Sequence, residues 1–187
     1  MLLARGSEYF NPDEAARRIL DANPGITMAE ANGAAWTQGK RLLERAIEER
    51  LNFAFETTLG GRTITVILDK ALAMPAEVRI WYVGLANAEL HIARVRRRVA
   101  RGGHDIPEAT IRDRYDRSRL NLIRLMPRLN ELLVYDNSEE ADPEAGSAPE
   151  PKRLLHMVRG RIVASCKLAA TPEWAKPIFA AAMKLGR

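Results

Sequence analysis

The order of local signals along this chain predicts an α/β domain: a mainly parallel sheet flanked by helices and closed by a C-terminal hairpin and helix. Three observations carry the prediction. Short runs rich in β-formers alternate with longer segments of helical periodicity. A turn signal at Arg159-Gly160 sits between two strand-like runs. The chain has 187 residues, 47% hydrophobic and 28% charged, which describes one globular domain able to bury a full core.

Taken in order, Glu8-Tyr-Phe-Asn11 reads as a short strand. Pro12 suits the first position of a helix that continues through Leu20 and stops before Asn23-Pro24-Gly25. A long helix is expected from Met28 to Arg50, then a hydrophobic strand Asn52-Phe-Ala-Phe-Glu-Thr57 and a loop holding Gly60-Gly61-Arg62. Thr63 to Leu72 reads as a helix and Glu77 to Leu85 as a buried strand. Asn87 is placed as the N-cap of a helix reaching Arg101, and Gly102-Gly103 ends that helix. A further helix is expected from Pro107 to about Leu125, and a strand over Leu132–Asn137. Residues 139–151, rich in Glu, Ala, Pro and Gly, read as a surface loop of low order. The hairpin spans Arg153 to Lys167, and the closing helix Pro172 to Leu185. Met1-Leu-Leu-Ala-Arg5 looks like the tail of a helix.

Composition narrows the function classes. No stretch approaches the roughly 20 apolar residues of a membrane span, and the N-terminus is too short for a signal peptide, so a cytoplasmic protein without membrane contact is expected. One cysteine, Cys166, excludes an internal disulfide, and His91, His104 and His156 show no metal-ligand spacing. The net charge of +5 is unevenly spread: His91–Asn130 holds eleven arginines, no lysine and four acids. Arginine without lysine favours bidentate recognition of phosphate or carboxylate. Two solvated helices laced with ion pairs explain the same charges equally well. Nucleic acid is disfavoured, because the segment's single aromatic, Tyr115, offers no stacking platform.

Ligands of open parallel sheets bind beyond the carboxyl ends of the strands, so the polar residues there are the first candidates for chemistry. After the first strand, Asp13 is placed either to accept a hydroxyl proton or simply to favour a helix N-terminus. After the second, Glu56-Thr57-Thr58-Leu59-Gly60-Gly61-Arg62 gathers a carboxylate, two hydroxyls, a pliable turn and a cation. A polar strand end followed by a turn accounts for it as well. After the fourth strand, Asp136-Asn137-Ser138 is a weaker signal.

Five ordered motifs resemble the zeta-toxin-like P-loop kinases: Phe10-Asn-Pro-Asp-Glu14, Phe53-Ala-Phe-Glu-Thr-Thr58, Arg94-Val-x-x-Arg-Val-x-x-Gly-Gly-His-Asp-Ile-Pro107, Ile111-Arg-x-Arg-Tyr115 and Tyr135-Asp-Asn-Ser138. The resemblance covers most of the chain. It implies a single domain over 1–187 with a three-layer, P-loop kinase-like parallel sheet and an arginine-rich lid at 93–128. It also implies transfer of the γ-phosphate of ATP or GTP, with Mg²⁺, to a sugar-nucleotide hydroxyl of the UDP-N-acetylglucosamine class. An antitoxin protein is the partner such kinases imply.

Position by position, the resemblance implies Asp13 as catalytic base, with Glu56 and Thr58 holding the substrate and Arg62 beside them. Arg94 and Arg98, four apart on one helical face, would be lid arginines at the transferring phosphates. His104 and Arg114 belong to the same lid and phosphate region, and Asn137 matches a nucleotide-base contact. Phosphoryl transfer depends mostly on positioning and electrostatics, which an arginine-rich lid suits.

One departure from the family is large. Its members open with a strand and a G-x-x-x-x-G-K-[ST] loop that cradles phosphate, and no such loop occurs in this sequence. Gly33-Ala-Ala-Trp-Thr-Gln-Gly-Lys-Arg41 has one residue too many between its glycines and Arg41 where a hydroxyl is needed. The resemblance therefore implies a start upstream of Met1, a sheet lacking its first, central strand, and impaired catalysis. Without that strand, the remaining strands close up, a seam stays open, or another chain supplies the partner. The alternative is a non-catalytic remnant that serves as a substrate-binding or protein-interaction module.

Overall fold

The structure is a computed structural model that describes residues 8–140 and 150–186. The segment Met1–Arg5 and most of the 139–151 loop lie outside the described residues. The chain is α/β and divides into two compact units, 1–58 and 59–187, where the sequence reads as one domain.

In the first unit, β1 (Glu8–Phe10) pairs in parallel with β2 (Phe53–Phe55), with Glu8 opposite Phe53 and Phe10 opposite Phe55. Between them run α1 (Pro12–Ala22) and α2 (Met28–Glu48). Asn11 ends β1 and starts α1: its Oδ1 accepts from the backbone N–H of Asp13 and Glu14 at 2.9 and 3.2 Å, satisfying two donors that a helix start leaves open. Thr27 and Glu30 form a reciprocal capping box on α2. The helices meet through Ala16, Ala31 and Ala35, with Ala15, Ile19, Leu20 and Ile26 around them. Phe10 is buried, and a Cβ on Gly39 would lie only 2.5 Å from its ring. The ring can rest on α2 only because residue 39 has no side chain.

The second unit contains α3 (Arg62–Ala71), β3 (Arg79–Gly84), α4 (Ala88–Ala100), α5 (Glu108–Leu125), β4 (Glu131–Asp136), β5 (Lys152–Val158), β6 (Arg161–Ser165) and α6 (Lys176–Leu185). Its sheet has the order β3-β4-β5-β6. β3 and β4 are parallel; β4–β5 and β5–β6 are antiparallel. Arg159 and Gly160 both have positive φ, 47° and 74°, the geometry of a type I′ hairpin turn. Asn87 caps α4 by accepting from Leu90 N–H at 2.8 Å. At the far end of that helix Gly102 has φ 85°, and the N–H groups of Gly102 and Gly103 return to the carbonyls of Val99 and Arg98, a Schellman stop. Leu122, Leu125, Met126, Leu132, Leu155, Met157 and Ile178 are almost completely buried.

The main difference from expectation lies in strand pairing. Instead of one mainly parallel ladder, the described residues form two sheets, each with one parallel pair. The β5–β6 pair is antiparallel because the two-residue hairpin between them cannot join parallel strands. β3 has β4 on one edge and no strand on the other among the described residues. Its side chains alternate: Tyr82 receives a hydrogen bond from Ser118 of α5, while Trp81 and Val83 are 44% and 54% exposed. A free edge with exposed apolar residues is a feature most native sheets suppress.

Candidate functional site

In the first unit the carboxyl ends of β1 and β2 bring a hydrogen-bonded cluster together. Tyr9 and Asn11 are two apart and lie on one side of their strand. The Tyr9 hydroxyl donates to Glu56 Oε1, and Asn11 Nδ2 donates to Oε2 at 3.3 Å. Glu56 is the first residue after β2, and its own N–H bonds to the Phe10 carbonyl at 3.1 Å, prolonging the ladder. Asp13 is the second residue of α1, exposed, with its N–H on Asn11 Oδ1. Asn11 therefore links the two predicted acids, by its oxygen to the Asp13 backbone and by its nitrogen to Glu56. Bonding to Glu56 raises the Tyr9 phenol above its ordinary value of 10.0, with a smaller push from burial. Thr58 is exposed just beyond.

The segment 93–128, read from the sequence as a lid, takes in most of α4 and all of α5 in the second unit. Many of its arginines are committed to carboxylates of the same chain. Arg96 pairs with Glu108, Arg97 with Glu140, Arg112 with Glu89, Arg117 with Asp113 and Arg119 with Asp116, while Arg124 and Arg128 share Asp69. Arg119 also stacks 4.2 Å over the Tyr115 ring. Arg94 differs: its guanidinium donates to the Glu139 carbonyl at 3.0 Å. Arg62, Arg94 and Arg114 have no carboxylate partner among the described residues. Arg98 donates to the His104 carbonyl at 3.4 Å, so these two predicted residues are neighbours at the helix end.

His91 shares the Arg94–Arg98 face of α4, three and seven positions back. Burial, with the charges of Arg98 and Arg94, holds its imidazole below the ordinary 6.5. The base of the Arg114 side chain lies against Gly60, where a Cβ would come within 2.8 Å of the Arg114 Cβ. Leu59, next to it, is buried with φ 53°, a left-handed conformation unusual for a bulky residue, and its carbonyl accepts from Asn121 at 2.8 Å. The Tyr115 hydroxyl donates to the carbonyls of Leu85 and Ala86, both at 3.0 Å, tying the β3–α4 turn to α5.

At the end of β4, Asp136 receives the Ser138 hydroxyl and, at 3.2 Å, the Trp174 indole N–H. The Asn137 N–H bonds to Gly84 O at 2.9 Å, while its Oδ1 is buried without a hydrogen-bond partner among the described residues. A buried acceptor left in that state is uncommon. Among the described residues no three His, Cys, Asp or Glu side chains converge as a metal site. No described helix is long and apolar enough to cross a membrane. Gly33–Arg41 lies inside α2, with Lys40 bonded to Glu44 at 2.8 Å, and forms no phosphate-cradling loop.

Asp13, Glu56 and Thr58 thus lie in the first unit, and Arg62, Arg94, Arg98, His104, Arg114 and Asn137 in the second. The sequence assigned no site role to Tyr9, Asn11 or His91. Tyr9 and Asn11 carry one legible signal, two side chains able to donate hydrogen bonds that alternate about the core residue Phe10. His91 could have been found from its three- and seven-residue spacing to Arg94 and Arg98.

No family model matches the chain, and no solved structure matches it. A Haemophilus influenzae protein described as "Uncharacterized protein" is 31% identical over 106 residues, which cover 57% of this chain and 73% of that protein. The chain belongs to the same family as that Haemophilus influenzae protein.

Proposed function

We propose that the chain supplies the acceptor site and arginine lid of a zeta-toxin-like phosphotransferase, one that moves the γ-phosphate of ATP or GTP to a sugar-nucleotide hydroxyl of the UDP-N-acetylglucosamine class. The observation that carries the reading is the Tyr9–Glu56–Asn11 cluster beside Asp13, at the carboxyl ends of a parallel strand pair, where ligands of such sheets bind. In this reading Asp13 takes the hydroxyl proton, and Glu56 and Thr58 hold the sugar. Arg62, Arg94, Arg98, His104 and Arg114 serve the acceptor and the phosphates. The buried Asn137 Oδ1 fits an N–H donor of a nucleotide base. The fold would be of the P-loop kinase kind, with a further strand at the free edge of β3. ATP would bring the phosphoryl group, and Mg²⁺ would arrive on its phosphates. These 187 residues hold no G-x-x-x-x-G-K-[ST] loop, so their turnover on their own is expected to be impaired.

A second reading, a non-catalytic module that keeps the acceptor site or docks an antitoxin-like protein, is favoured by the ion pairing of so many lid arginines. Titration calorimetry with UDP-N-acetylglucosamine and with Mg²⁺–ATP separates the two. The kinase, and a module that keeps the acceptor site, expect sugar-nucleotide binding that Glu56→Gln weakens about tenfold, the loss of one hydrogen bond to a charged group. ATP binding with any turnover, abolished by Asp13→Asn, selects the kinase. Sugar-nucleotide binding with no nucleotide binding selects the module, and no sugar-nucleotide binding overturns the acceptor site.

A further inference from the structure

We infer that Tyr9 and Asn11 are positioning residues, which hold the Glu56 carboxylate so that its remaining lone pairs receive two neighbouring O–H or N–H donors of an uncharged ligand group. The inference rests on the acceptor-site reading above and adds how that site is oriented and what it selects.

Three observations carry it. First, the two oxygens of Glu56 are held separately, Oε1 by the Tyr9 hydroxyl and Oε2 by Asn11 Nδ2. An ionised carboxylate offers about four acceptor positions, so about two are left. Second, the Asn11 amide is itself fixed. Its Oδ1 accepts two backbone N–H groups at the start of α1, which forces Nδ2 to be the atom facing Glu56. Third, Tyr9 is large and 48% exposed, so burial alone gives little reason for a tyrosine there, whereas its hydroxyl has a defined acceptor.

Both donors stand on or at the end of a strand in regular pairing, a more rigid support than a loop. A carboxylate oriented this way matches a vicinal diol, or a hydroxyl beside an amide N–H. A phosphate or carboxylate at the same point would meet the like charge of Glu56. Tyr9 is a protonated donor at neutral pH by its ordinary value of 10.0, and the bond to Glu56 moves that value further up. Asn11 also connects Glu56 to the backbone of Asp13, so the two acids keep their spacing.

The test uses the full chain, with UDP-N-acetylglucosamine as the probe. Tyr9→Phe keeps the ring, and Asn11→Asp keeps a good helix cap while removing the amide donor. Each is expected to weaken binding about tenfold with little change in Tm. In a Glu56→Gln background Tyr9→Phe should then have almost no further effect, because the coupling runs through the carboxylate. A ligand-free readout accompanies it: the phenolate absorbance assigned to Tyr9, by difference from Tyr9→Phe, should titrate above 10.0 and fall toward that value in Glu56→Gln. If Glu56→Gln weakens binding while Tyr9→Phe and Asn11→Asp do not, the positioning role is wrong and the acceptor site stands. Losses that add independently of Glu56 also refute it. If the wild-type chain fails to bind, the inference and the acceptor reading fall together.

Discussion

The two units differ in what holds them. The first closes α1 on α2 with Ala16, Ala31 and Ala35 and pairs two strands of three residues each. The second packs Leu122, Leu125, Leu132, Leu155 and Ile178 about strands of five to seven residues. Apolar burial stabilises by roughly 25 cal/mol per Å², so alanines contribute little and leucines much. The comparison teaches that the proposed acceptor site stands on the unit with the lighter core. Order at its strand ends comes from directional bonds, Asn11 to α1 and to Glu56, more than from bulk packing.

The strongest way to break that comparison is to delete a large core side chain. Leu122 has no measurable exposure, and Leu122→Ala should cost about 2–5 kcal/mol in urea unfolding, through lost transfer energy and the cavity left behind. A loss under about 1 kcal/mol would show that α5 tolerates the cavity and that the second unit is no better packed than the first.

The next prediction addresses the directional bonds of the first unit. Thr27→Ala removes the side chain that accepts from Glu30 N–H at 3.2 Å and breaks the capping box of α2. The expected cost is about 1 kcal/mol, measurable as a shift in the urea midpoint at constant slope. An unchanged midpoint would mean that α2 is held by its alanine face alone. Thr27→Asn, which can still cap, should recover most of the loss.

Local structure was legible where one residue settles it. Asn11-Pro12 opens α1, Asn87 caps α4, Gly102-Gly103 ends it and Arg159-Gly160 turns the hairpin, all within a residue or two of the expected positions. Edge pairing was not legible, because hydrophobic alternation specifies which face of a strand is buried and leaves open which edges meet. The separate β1–β2 and β3–β6 sheets follow from that freedom. The same limit applies to the candidate site. Tyr9 meets Glu56 across 47 positions and Arg128 meets Asp69 across 59, and no local spacing encodes such contacts. Charge composition alone could not separate Arg94, which bonds a backbone carbonyl, from Arg96 and Arg97, which neighbouring glutamates neutralise.

The smallest expected effect concerns His91, which refines the arginine side of the comparison. Burial is the larger cause of its lowered pKa, and the charges of Arg98 and Arg94 add to it. The unfolded chain therefore binds this proton more readily than the folded one. Its contribution to stability is complete above 6.5 and is lost as pH falls through the lower, folded value. In a series of Tm measurements from pH 7.5 down to 5.5, His91→Gln should flatten the wild-type decline. Arg98→Gln should let the His91 imidazole, followed by NMR, titrate nearer to 6.5 without reaching it, since the burial contribution remains. Full recovery to 6.5 would make charge the dominant cause and leave α4 more open to solvent than its geometry indicates. No movement at all would mean that Arg98 directs its charge away from this face, and Arg94 would then be the arginine left to hold an anion there.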